Sequence, residues 1–239
     1  MRFRTAAIRL APALPLFLLV AAPPARAQTI TLDEGGFRLF LAGREAGTET
    51  FSIRRNGTGD DAVIVAQSRT RLETASGEEE ITASLEAKGP ALRPVAYQLT
   101  IQGAQPRRIA GRIAGGRVTA RIITGEGEMM REYLAADGAV LLDEGVAHQH
   151  YFLARRLDGA AAPRIPVLLP RDSRQAMAKV TASGPETIQV AGRAVSARRL
   201  VVEPAGAAAR RIWVDDQGRV LRVEVPACSF TAERIAPPG

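Results

Sequence analysis

The stretch Arg108-Ile109-Ala110-Gly111-Arg112-Ile113-Ala114-Gly115-Gly116-Arg117-Val118-Thr119-Ala120-Arg121-Ile122-Ile123 decides the fold class. Before the glycines, Ile109, Gly111 and Ile113 share one parity and Arg108 and Arg112 the other. After them, Val118, Ala120 and Ile122 oppose Arg117, Thr119 and Arg121. A period of two with one apolar and one charged face predicts an antiparallel hairpin covered on one side. The turn at Ala114-Gly115-Gly116 has the residues that take the positive φ of a tight reversal.

The same period extends towards the N-terminus. Phe37, Leu39 and Leu41 alternate with Arg38 and Phe40, and Phe51 with Ile53 follows the turn-rich Ala42 to Gly47. Further strands are expected at Ala62–Thr74, Glu79–Ala87 and Val95–Gln102. Towards the C-terminus they are expected at Ile165–Leu169, Arg174–Ala182, Glu186–Val190 and Ala194–Glu203. A closing hairpin joins Arg210–Val214 to Arg219–Val225 through Asp215-Asp216-Gln217-Gly218, where the aspartates read as turn residues. In that hairpin Trp213 and Arg222 point away from Ile212, Val214, Leu221 and Val223. Ala-Gly-Arg at 42–44, 110–112 and 191–193 reads as a recurring turn, its unequal spacing being no repeat.

Between these halves one helix is expected, with Asp143 as N-cap and Leu157-Asp158-Gly159 as its stop. At 100° per residue Val146, His150, Leu153, Ala154 and Leu157 share a face with Tyr151 on its margin. His148, Gln149, Arg155 and Arg156 lie opposite, and Phe152 falls on the polar side. The expected architecture is mainly β: one curved antiparallel sheet, a half-barrel or open barrel, with one helix packed on the concave face. No composition break divides residues 28–239, so they form a single domain.

Residues 1–27 read as a secretory signal peptide. Arg2, Arg4 and Arg9 precede an apolar run from Leu10 to Ala22, and Ala25-Arg26-Ala27 fits a cleavage site before Gln28. The run is about 13 residues, short of the roughly 20 needed to span a bilayer. The expected product is a soluble periplasmic or secreted protein, not an integral membrane protein. The chain is formally +7, and four of those charges are arginines of the leader. The scattered remainder excludes a nucleic-acid footprint. Cys228 is the only cysteine, so there is no internal disulfide. It reads as a small half-buried strand residue before Phe230, leaving open intermolecular pairing or a reactive thiol.

Chemistry-bearing patterns are few. His148-x-His150 beside Asp143 and Glu144 could bind a metal from a strand, but on a helix the two imidazoles lie about 200° apart. That spacing leaves His150 packed on the apolar face and His148 in solvent. Glu126 and Glu128 would share a strand face, as acid–base partners or as a solvated strand end. No nucleophile elbow, Walker lysine loop, H-E-x-x-H or C-x-x-C occurs. The expected catalytic residues, metal ligands and cofactors are accordingly none.

Three sets of residues carry a resemblance: Leu142-Asp143 leading into the helix; Ile188, Val190, Gly192, Val195, Ala197 and Leu200; and Ile212-Trp213-Val214-Asp215 with Gly218-Arg219-Val220-Leu221. On these the chain resembles an uncharacterised family of bacterial periplasmic proteins, a domain of unknown function. The architecture is also similar to the periplasmic lipoprotein carriers, whose half-barrel sheet wraps a helical lid over an apolar cavity. That resemblance implies a hydrophobic ligand and no catalytic residue. The leading expectation is thus a binding protein for a lipid or lipid-modified partner, with Val146, His150, Tyr151 and Leu153 lining the space. The alternatives are an envelope scaffold with an envelope protein partner, anchored by Phe152 and Trp213, and a metal-dependent hydrolase using His148 and His150.

Overall fold

A computed structural model describes residues 29–157 and 164–239; the expected leader of residues 1–27, Gln28 and the expected helix stop at Asp158-Gly159 lie outside the described residues. The first strands are β1 (Thr29–Leu41), β2 (Arg44–Asn56), β3 (Val63–Thr74), β4 (Gly77–Lys88) and β5 (Arg93–Gln102). β6 (Arg107–Ala114), β7 (Arg117–Thr124) and β8 (Gly127–Leu134) follow, each antiparallel to the one before. The chain then crosses the sheet through the two-residue β9 (Val140–Leu141) and the short helix α1 (His150–Arg156). It returns as β10 (Arg164–Leu169), β11 (Arg174–Val190), β12 (Arg193–Pro204), β13 (Arg210–Val214), β14 (Val220–Val225) and β15 (Phe230–Arg234).

β15 pairs with β1, so the described strands form one open sheet of 15 with β8 and β9 at its edges. It is antiparallel except for β9 against β10. The sheet is curved and does not close. Its inner face carries Phe37, Leu39, Ile53, Ile64, Leu85, Leu99, Ile109, Val202, Ile212 and Val223, all essentially buried. The inward and outward residues of the 108–123 hairpin stand as their parity requires, and Gly115 and Gly116 turn it with φ of 57° and 77°. No helix among the described residues is long and apolar enough to cross a membrane.

Several expectations are corrected. Arg174 to Val190 is one strand, not two; its register shifts between Ala182 and Pro185, because proline offers no N–H to the ladder. Ala-Gly-Arg is a turn at 42–44 and 191–193 but lies inside β6 at 110–112. On β14 Leu221 is the extra residue of a bulge, since Trp213 opposes Arg222 and Val214 opposes Val220. The bulge turns Leu221 outward, where it joins Val190, Ala197 and Trp213 in a second apolar cluster. Trp213 is therefore buried, its indole N–H donating to Glu186 at 2.6 Å and Arg222 lying over its ring. Cys228 is exposed and ends a single 3₁₀ turn instead of lying in a strand.

The helix is seven residues long and starts well after Asp143. It is entered by i→i+3 bonds, from His150 N to Ala147 O and from Tyr151 N to His148 O. At its other end Arg155 donates to the Gln217 carbonyl and Arg156 to the Ala91 carbonyl, so α1 bridges opposite walls of the sheet. Tyr151, Phe152, Leu153 and Ala154 are all buried. Phe152, expected on the polar side, is 2% exposed and meets Tyr151 edge to face at 5.7 Å. The helix lies inside the concavity and so has almost no solvent face.

The N- and C-terminal strands are joined by a buried ion pair. Arg234 donates to Asp33 through both terminal nitrogens, at 2.9 and 2.6 Å, and to the Val220 and Glu34 carbonyls. Removing one member strands the other charge in a dry site, which typically costs about 3–5 kcal/mol. Asp33→Ala is expected to lower the urea-unfolding free energy by about that much, whereas a loss under 1 kcal/mol would show that the site is hydrated.

Candidate functional site

The side chains that position the site are polar residues on apolar strand faces. Glu49 lies two residues before Phe51 on β2 and is fully buried. Its carboxylate accepts hydrogen bonds from Ala147 N at 2.7 Å, His148 N at 3.2 Å and His148 Nδ1 at 2.7 Å. Those bonds take two backbone donors at the foot of α1 and hold the crossing segment against the sheet. His148 is 1% exposed, correcting the expectation that it stands in solvent. The helical wheel misplaced it because residues 143–149 are not helical. Its ring stacks on Phe51 at 5.7 Å, Phe51 stacks on Phe37 at 5.3 Å, and Arg234 lies over Phe51.

A second anchor fixes the start of the crossing. Asp143 accepts from Tyr97 Oη at 2.6 Å, from its neighbour Glu144 N at 2.7 Å and from Arg171 Nε. Arg171 also donates to the Glu144 carbonyl at 2.6 Å, and Gln149 Nε2 donates to Tyr97 Oη at 3.3 Å. Burial first, and Asp143 second, push the Tyr97 phenol well above its ordinary value, so it serves as a donor. Gly145 completes the turn at φ 69°, in the left-handed region; a Cβ there would sit 3.2 Å from Ile81 Cδ1.

Between this crossing segment and the sheet lies a crevice of about 180 Å³, open to solvent on one side. Ile81, Val223, Val225 and Phe230 form its apolar wall, and Val146 and His150 close it from the crossing segment. Glu79, Glu144, Arg171 and Cys228 also line it, as does Arg210 at the start of β13. Of the four residues expected to line one ligand space, the structure thus brings Val146 and His150 together. Tyr151 borders a separate depression with Leu32, Ile64 and Leu92, and Leu153 is fully buried.

The two histidines present no open pair of nitrogens. His148 Nδ1 is taken by Glu49, and His150 Nδ1 by the Ala147 carbonyl at 2.9 Å. The Nε2 atom of each is buried without a partner. No group of three or more His, Cys, Asp or Glu able to hold a metal occurs among the described residues. Glu128 is tied to Arg121 by two bonds of 2.6 Å on the exposed face, away from the crevice.

The sequence reading missed Glu49, Tyr97 and Arg210. All three carried the same signal, a polar or amphipathic side chain on the parity of an apolar face: Glu49 with Phe51, Tyr97 with Leu99, Arg210 with Ile212. No protein-family model, curated protein or solved structure matches this chain.

Burial is the largest cause that pushes the His150 imidazole down to about 3, with Arg210 adding to it. The unfolded imidazole titrates near 6.5, so the unfolded state takes up the proton first as the pH falls. The contribution of a neutral His150 to stability is therefore full above about pH 6.5 and drains away towards pH 3. His150→Asn is expected to flatten the pH dependence of the unfolding free energy across that window relative to the parent. Identical profiles would show that His150 does not stay neutral in the fold.

Proposed function

We propose that this protein is a non-catalytic binding protein of the bacterial envelope, exported through its N-terminal leader, that holds an amphipathic small molecule in the crevice beside Val146 and His150. The observation that carries the proposal is the crevice itself: apolar-walled, open on one side, and set in a concavity that is otherwise filled by α1. Binding sites are typically such mostly apolar clefts with a few placed polar groups. Its volume is below the roughly 300–1,000 Å³ of sites for drug-sized ligands, which favours a single chain over a multi-chain lipid. Part of such a chain would extend through the open side.

A second reading, a docking module for an envelope protein, is favoured by one feature. β8 is an edge strand with Met130 and Leu134 more than half exposed, a free ladder that an extended segment could join. Phe152 and Trp213 do not serve that reading, both being buried.

Calorimetric titration of the purified protein with decanol and decanoate tests the binding function. At least one should bind, and Val146→Trp, which fills the crevice, should weaken that binding at least ten-fold, or about 1.4 kcal/mol. Circular dichroism should report the parent fold for the variant. Undiminished binding by a folded Val146→Trp protein would place the ligand elsewhere and refute the site.

A further inference from the structure

Two arginines are buried among the described residues, Arg210 and Arg234, each 3% exposed. Their surroundings differ. Arg234 meets both oxygens of Asp33 and two backbone carbonyls. Arg210 makes one hydrogen bond, from Nη1 to the Ala208 carbonyl at 3.2 Å, and no carboxylate among the described residues lies within ion-pair distance of it. Arg171, the other guanidinium at the crevice, is already spent on Asp143.

An uncompensated buried charge is costly, and a guanidinium left half-satisfied in a cleft is a standing site for a planar anion. Burial pulls the Arg210 guanidinium below its ordinary value, while Glu144 and Asp143 act on it from a distance in the opposite sense. The strand parity that places Arg210 beside Ile212 and Val214 also aims it inward, so its position is fixed by the fold.

We infer that the crevice selects a single-chain amphiphile with a carboxylate head, which pairs with Arg210 while its alkyl chain lies along Val223, Val225 and Phe230. This rests on the binding function proposed above and names its ligand class. A carboxylate matches the guanidinium fork with two parallel hydrogen bonds. Glu79, Asp143 and Glu144 line the same crevice against Arg171 and Arg210, so acids outnumber bases there and a second negative charge on the head adds more repulsion than attraction. That choice sets a carboxylate above a phosphate monoester.

The test compares decanoate, decyl phosphate and decanol by calorimetry at neutral pH, on the parent protein and on Arg210→Met and Arg210→Lys. Decanoate is expected to bind the parent at least ten-fold more tightly than decanol. Arg210→Met should erase that preference while still taking up decanol, and Arg210→Lys should keep part of it. Equal affinities of the parent for decanoate and decanol would overturn the inference and leave the binding function standing. Tightest binding of decyl phosphate would overturn the choice of carboxylate. Binding of none of the three would overturn this inference and the proposed function together. The parent comparison decides the matter even if Arg210→Met fails to fold.

Discussion

The Glu49 carboxylate, buried on the inner face of β2, accepts three hydrogen bonds from Ala147 and His148. An open sheet this curved has one wet outer face and one apolar concavity, and the concavity needs something to fill it. The chain supplies residues 139–157, which leave β8, cross the inner face and bury Val140, Leu142, Val146, Phe152 and Leu153. A crossing segment brings unpaired backbone donors into a dry interior, and each left unmet costs roughly 1–3 kcal/mol. Glu49 meets two of them and the His148 imidazole as well. The start of α1, the orientation of His150 and hence one wall of the crevice all follow from that attachment.

The anchor is continuous with the seam that joins the two ends of the described chain. Asp33 holds Arg234, Arg234 lies over Phe51, and Phe51 stacks on His148, which returns to Glu49. Strands from both ends and the crossing segment therefore share one column of buried polar and aromatic groups. Polar networks of this kind specify a single arrangement when every member is satisfied. Arg210 stands apart from that column and faces the crevice with one carbonyl and no carboxylate in contact among the described residues. That guanidinium, beside a cleft and without a carboxylate in contact, is the feature on which the proposed ligand class rests.

The sheet was legible in the sequence because its period is strict. Ile109, Val118, Ala120 and Ile122 are buried and Arg108, Arg112 and Arg121 exposed, as alternation alone requires. Bulges broke the rule where backbone register, invisible to pattern, shifts by one residue, as at Leu221. The crossing segment was legible as apolar but not as mostly non-helical. A 100° wheel has no term for a carboxylate 98 residues earlier that captures the Ala147 amide, nor for Gly145 turning the chain at positive φ. Val146 and His150 were found because both are apolar-facing whichever conformation the segment takes. Glu49 and Arg210 were passed over because a charge on an apolar parity looks like a strand end until its partner, or the lack of one, is seen.

The most direct test of the account is native mass spectrometry of the protein purified from its native cells, followed by organic extraction and analysis of what is released. A stoichiometric adduct that yields a single-chain carboxylic acid, and that is absent from the Val146→Trp variant, is the predicted result. A clean mass for the bare chain, with no adduct regained when decanoate is added back, would contradict it.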